Sequence, residues 1–219
     1  LCGMVRAYLT IVPYMLSRRL LTVSLVFALV VSGAVTPPKD HFGFTPGDDY
    51  KLADYNQVSS YFHKLAAESG RIRVEEFGKS SEGRPLLVAF ISSEANLKHL
   101  DKWKEINRKL ALGQATAEEA ARFAREGKAI VWIDSGLHAT EVAPVQHAPR
   151  LAYQIVSGES EEIRRIRDNV ILMQVPVINP DGLQMTAEWY RKNLGSPHEL
   201  APLPQLYQKY AGHDNNRDW

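Results

Sequence analysis

Ile130-Val-Trp-Ile-Asp-Ser-Gly-Leu-His-Ala-Thr-Glu141 is a β-branched apolar strand that runs into a glycine and then presents two metal-ligand side chains, His138 and Glu141. Open α/β sheets gather their ligands in the crevice beyond the carboxyl ends of the strands, so polar groups delivered just after Asp134 are expected to face a pocket rather than the core. Gly136 lets the backbone turn sharply there. A neutral imidazole and a carboxylate at i and i+3 can converge on one cation, and nitrogen with oxygen is a donor set that suits zinc. Taken alone the spacing recurs by chance, and its plain alternative is an exposed turn.

Three downstream segments change that balance: Val177-Ile-Asn-Pro-Asp-Gly182, Trp189-Tyr-Arg-Lys192 and Gly212-His-Asp-Asn-Asn-Arg-Asp-Trp219. In this order and at these intervals they resemble the zinc carboxypeptidases of the M14 peptidase family, of the carboxypeptidase A kind, over roughly residues 50–219. The resemblance implies an α/β fold, a mixed sheet in a three-layer αβα arrangement, eight-stranded in the family, of which this chain would supply the first half. It implies one zinc ion per complete catalytic domain and a peptide with a free C-terminus as substrate.

Carried onto this chain, the resemblance makes His138 and Glu141 two protein ligands of the zinc. Arg191 matches the arginine that stabilises the oxyanion, with Lys192 its nearest rival; a fixed guanidinium gains most as negative charge develops on the carbonyl oxygen. Asn216 and Arg217 match the pair that holds the terminal carboxylate, a task suited to the planar two-pronged guanidinium. Asp214 is placed like the carboxylate that accepts a hydrogen bond from the first zinc histidine, fixing its tautomer. His147, His198 and His213 read as ordinary histidines. In the family the second zinc histidine and the general-base glutamate follow the Asn-Arg pair, so both are expected beyond Trp219, and these 219 residues alone are expected to bind zinc weakly and turn over nothing. Two other readings share the zinc pair or dispense with catalysis. One is a zinc amidohydrolase acting on cell-wall peptides or N-acyl amino acids; the other is a non-catalytic module that binds peptide ends.

The composition permits this. At 219 residues, 45% hydrophobic and 23% charged, there is apolar material for one sizeable core. A formal net charge of +1 gives no electrostatic reason to expect nucleic acid as a partner. Cys2 is the only cysteine and precedes Met4, which excludes a disulfide or a thiolate zinc site in the folded region. The chain opens on Leu1 and ends on Trp219 in mid-motif, so a reading frame cut at both ends is expected.

Arg18 and Arg19 precede an apolar run at 20–31 and then Ser32-Gly-Ala34, the layout of a secretory signal over residues 1–34, with a start at Met4 or Met15. The run is shorter than the ~20 residues a spanning helix needs, so an exported protein without a membrane span in its mature form is expected. Residues 35–49, rich in Pro, Gly and Asp, read as an extended lead-in. Residues 50–219 are expected, from the resemblance, to form the partial catalytic domain. Within it we expect a helix over 56–68, a hairpin of strands 71–77 and 85–92, and helices over 97–112 and from the Thr116 capping box to Gly127. The last two read as a solvated surface insertion. After Glu141 come a helix to about Val156 that Pro149 should kink or break, a short helix over 161–168, a strand over 170–178, and a helix from the Asn-Pro-Asp-Gly turn to Trp189.

Overall fold

In the computed structural model, residues 34–207 and 214–217 are described. The proposed signal at 1–34 lies almost wholly outside them, as do Cys2 and His213.

The centre is a sheet of four strands, β1 (Ile72–Lys79), β2 (Pro85–Ile91), β3 (Ala129–Asp134) and β4 (Val170–Val175), in the order β1-β2-β4-β3. β1 and β2 form the expected antiparallel hairpin, β2 pairs antiparallel with β4, and β3 lies parallel to β4 from Ala129↔Val170 to Asp134↔Val175. The sheet is therefore mixed, with helices on both faces. Side chains of β2 and β4 alternate between two cores as the pleat requires: Ala89, Ile91 and Leu172 point one way, Val88, Phe90, Ile171 and Val175 the other. β3 is an edge strand, and Val131, Trp132 and Ile133 on it are exposed.

The first core is built by α1 (Pro38–Phe42), α2 (Tyr55–Glu68) and α6 (Val142–Ser157). Asp54 caps α2, its carboxylate accepting from Gln57 N at 2.9 Å while the Gln57 side chain accepts from Asp54 N at 3.1 Å. The helix buries Val58, Tyr61, Phe62 and Leu65, each fully enclosed. Residues 35–49 are not extended throughout, because Pro38 sits at the first helical position of α1, where its missing N–H costs nothing. Gly43, at φ 75°, then ends the helix once Phe42 is packed at a tilt against Tyr61.

The second core corrects the expectation of a solvated insertion. α3 (Glu94–Lys98), α4 (Leu100–Ala111) and α5 (Ala117–Glu126) lay Leu97, Leu100, Trp103, Ile106 and Phe123 onto the sheet. Their charges occupy only the outer face, so the pair of helices is the covering layer of that side. The single helix expected over 97–112 is two, divided at His99, and Thr116 forms its capping box with Glu119 as expected.

α6 runs unbroken through Pro149, which is itself buried. The proline removes one intrahelical bond, but Val145, Ala148, Ala152 and Val156 stay packed, and the Gln174 side-chain amide donates to the Ala148 carbonyl at 3.0 Å. Tertiary burial outweighs the local defect. α7 (Glu161–Asn169), capped by Ser160, and α8 (Pro180–Asn193) complete the described helices.

Two charge clusters tie distant segments. Asp181, nearly buried at the start of α8, accepts from Ser80 Oγ at 2.8 Å, Glu82 N at 3.0 Å and Arg84 Nη1 at 2.7 Å, which pins the β1–β2 loop. Glu159 receives Arg71 Nη1 at 2.6 Å, Arg164 Nε at 3.0 Å and Arg167 Nη2 at 3.3 Å. Hydrogen bonds from Arg164 and then Arg71 pull the Glu159 carboxyl down to about 2. A depressed carboxyl contributes stability that is fully present above its unfolded value near 4.5 and is lost as the pH falls through about 2.

Phe62→Ala should cost about 3–5 kcal/mol in urea unfolding, the range for emptying a closed aromatic site. Glu159→Gln should flatten the decline of stability between about pH 4.5 and 2, read from urea midpoints across that window; an unchanged acid limb would show that the three arginines do not act through this carboxylate.

Candidate functional site

The parallel pairing of β3 with β4 continues one step past both strands, with Ser135 N donating to the Val175 carbonyl at 3.1 Å and Ile178 N to the Ser135 carbonyl at 2.8 Å. Gly136 follows at φ 73°, and a Cβ there would overlap the Val145 side chain, so both conformation and space require glycine. The chain then closes one turn, Glu141 N to the His138 carbonyl at 3.0 Å, before α6 begins at Val142. That turn brings the side chains at i and i+3 together.

Glu141 Oε2 stands 3.3 Å from His138 Nδ1. On the other side of the ring Asp214 Oδ1 lies 2.6 Å from Nε2. Asp214 Oδ1 also accepts from Asn216 N at 2.9 Å, and its Oδ2 is 3.6 Å from Arg217 Nη1 in the short 3₁₀ turn Asn215–Arg217. Five of the six residues singled out from the sequence thus meet in one place: His138, Glu141, Asp214, Asn216 and Arg217. Arg217 is largely exposed there, at 70% of its side chain.

Arg191 stands apart from them in its described contacts. Its Nη1 donates to Asp54 Oδ2 at 2.6 Å, and its Nη2 to the Leu52 carbonyl at 2.9 Å and Gln57 Oε1 at 2.8 Å. It joins the end of α8 to the start of α2. Lys192 places its ammonium 5.6 Å from the centre of the Trp189 ring. His147 and His198 are exposed.

The imidazole is flanked by two carboxylates, and its pKa is raised, chiefly by the hydrogen bond to Asp214 and then by Glu141, against the opposing effect of burial. Asp214 is lowered, first by the Asn216 backbone N–H and then by His138. Tyr207, whose ring meets His138 edge to face at 6.4 Å, is raised by burial and by these same carboxylates. No sequence signal pointed to Tyr207, nor to Asp54 as the partner of Arg191, because both contacts join segments without a shared motif.

The family model for zinc carboxypeptidases matches residues 58–219. The chain belongs to the zinc carboxypeptidase family. Among solved structures it is similar to the carboxypeptidase A of Helicoverpa armigera, at 19% identity and TM-score 0.44 over 74% of this chain and 33% of that one. It is likewise similar to a metallo-carboxypeptidase from Burkholderia cenocepacia, at 17% identity and TM-score 0.42 over 68% of this chain and 35% of that one. A third is bovine thrombin-activatable fibrinolysis inhibitor in complex with a tick carboxypeptidase inhibitor, at 16% identity and TM-score 0.41 over 63% and 34%. This zinc carboxypeptidase relative therefore spans about a third of the length of the structures it matches.

In metal-free protein, a raised histidine contributes stability that is fully present below its unfolded pKa, near 6.5, and is lost as the pH rises through its folded value. Asp214→Asn should bring the NMR titration midpoint of His138 down towards 6.5 and remove most of that neutral-range dependence. A midpoint that does not move would mean the Asp214 contact does not hold the proton.

Proposed function

We propose that the full-length protein is a zinc-dependent carboxypeptidase that hydrolyses C-terminal residues from peptides, exported after removal of a leader at residues 1–34. One observation carries the reading: a histidine presents Nδ1 to a glutamate carboxylate at 3.3 Å while an aspartate engages its other nitrogen at 2.6 Å. Zinc histidines characteristically carry such an acceptor on the far nitrogen, which leaves the near nitrogen as an oriented lone pair. With Glu141 beside it, the donor set fits zinc. Among the described residues no group of three His, Cys, Asp or Glu side chains could hold a metal ion, so His138 and Glu141 would be two of the ligands and the set would be completed from outside those residues. When bound, zinc polarises a scissile carbonyl and lowers the pKa of a water.

The chain's own residues supply the rest. Asn216 and Arg217 would take the terminal carboxylate, Arg217 through two parallel N–H bonds, and so measure distance from the chain end. They lie beside Asp214 in one short turn, so a carboxylate clamp and an orienter of the zinc histidine would be built as one unit. Arg191 would stabilise the oxyanion, which requires its guanidinium to exchange Asp54 and the Leu52 carbonyl for the substrate. Among the described residues no helix is long and apolar enough to cross a membrane.

Peptides differing only in a free or amidated C-terminus, offered to the full-length protein with and without a chelator, test this. The free acid should be cleaved and the amide spared, with activity lost to the chelator and in His138→Ala. Arg217→Ala should lower kcat/KM by about 10- to 100-fold, the size of one or two charged hydrogen bonds. The 219-residue chain assayed alongside should show no turnover. Equal cleavage of acid and amide, or an active 219-residue chain, would sink the proposal.

A further inference from the structure

The turn Asn179-Pro-Asp-Gly182 has the composition of a helix start, and Asn179 and Pro180 meet that demand locally. Pro180 occupies the first position of α8, Asn179 Oδ1 accepts from Gly182 N at 3.0 Å, and Asp181 faces away to hold the β1–β2 loop. A capping side chain needs only its oxygen, so the amide nitrogen of Asn179 is surplus to the cap. Serine, threonine or aspartate would cap as well.

That nitrogen is used across the fold. Asn179 Nδ2 lies 3.3 Å from the Leu137 carbonyl, directly before His138, and 3.3 Å from the Tyr207 carbonyl, on the approach to Asp214. One planar amide thus joins the loop that carries His138 and Glu141 to the segment whose Tyr207 ring lies against His138. Gly182 serves the same junction by having no side chain: a Cβ there would lie 2.6 Å from the Ala139 Cβ, 2.7 Å from the Tyr207 carbonyl oxygen and 2.8 Å from Asn179 Nδ2. Ala139, next to His138, is buried to 1%. The start of α8 is therefore pressed directly on the backbone that flanks the histidine, and any side chain at Gly182 would drive the two apart.

Resting on the zinc-site reading, we propose that Asn179 is a positioning residue for the metal: its side-chain amide clasps the His138 loop to the Tyr207 segment, and Gly182 permits the clasp to close. The imidazole then receives its orientation from two sides, through its ring from Asp214 and through its backbone from Asn179. Removing such an outer support commonly costs 10–100-fold in metal affinity.

The test uses full-length protein, with zinc affinity measured by competition against a chromophoric chelator and ligand geometry read from the visible bands of the cobalt(II)-substituted protein. Asn179→Asp keeps the capping oxygen and removes the amide donor; Gly182→Ala leaves the amide and adds the clashing methyl. Each should weaken zinc by about 10- to 100-fold and displace the cobalt bands. Asp181→Asn, on the same turn but facing the β1–β2 loop, should lower the thermal midpoint while leaving zinc affinity and bands as in the wild type. Wild-type affinity and bands in Asn179→Asp overturn the clasp, as does an equal loss in Asp181→Asn, which would make the effect one of general stability. Where Asn179→Asp does not fold, Gly182→Ala decides by the same criterion. His138→Ala separates the two levels: if it loses zinc and the clasp variants do not, only the clasp fails, whereas if it binds zinc like the wild type the metal site itself is misplaced and the clasp falls with it.

Discussion

Parallel pairing of β3 with β4 is the constraint on which the rest of the site depends. Parallel strands leave the sheet from the same edge, so the segment after Asp134 and the segment after Val175 emerge side by side. The two hydrogen bonds through Ser135 hold that alignment for one residue beyond the strands. From there one chain turns through Gly136 to His138, and the other reaches Asn179 at the head of α8. Residues separated by about forty positions in sequence are thereby placed within hydrogen-bonding range without any long loop to order. An antiparallel partner would have sent the second segment to the opposite edge.

In the proposed zinc site the electrostatics of the cluster would suit a cation. Two carboxylates flank one ring, and in the metal-free chain the proton on His138 is the charge that offsets them, which is why its pKa rises. A divalent ion held by His138 and Glu141, as proposed, would displace that proton, so zinc and protons would compete and affinity would weaken as the pH falls. The lowering of Asp214 has a different origin. Its first cause is a backbone N–H, from Asn216, and a backbone donor does not titrate. The Asp214 carboxylate is therefore held anionic first by a donor that does not depend on the histidine's proton.

What the sequence disclosed about this site is what could be written into short motifs. His138 and Glu141 are neighbours because one turn separates i from i+3, and Asp214, Asn216 and Arg217 because they share a turn of their own; such local geometry is legible from spacing. That the two groups meet each other came only from family resemblance. The fold was legible where periodicity met burial, as in α2, the β1–β2 hairpin and β4. It was not legible in α4 and α5, whose many charges suggested solvent, since a charged outer face says nothing of what lies beneath Trp103 and Phe123. Pro149 misled for the opposite reason: a local rule about one lost hydrogen bond gave way to the packing of a whole helix face. Asn179 was visible as a turn former, and its second amide function was not, because nothing in a single sequence tells which of a side chain's atoms are needed elsewhere.

Arg191 is the residue whose reading depends most on magnitudes. Its guanidinium is 42% exposed, and an ion pair of that exposure contributes about 0–1 kcal/mol on its own. A donor to a developing oxyanion contributes about 3–4 kcal/mol to the transition state. On those terms a substrate oxyanion would win in the proposed role. The other half of the pair shifts the balance, because the Asp54 side chain is only 10% exposed and, once Arg191 leaves, keeps the Gln57 N–H as its named donor. Stripping a cation from a nearly enclosed carboxylate costs about 3–5 kcal/mol when water cannot follow. The two sums are of one size, so the arginine is held as firmly as Asp54 is shut from water.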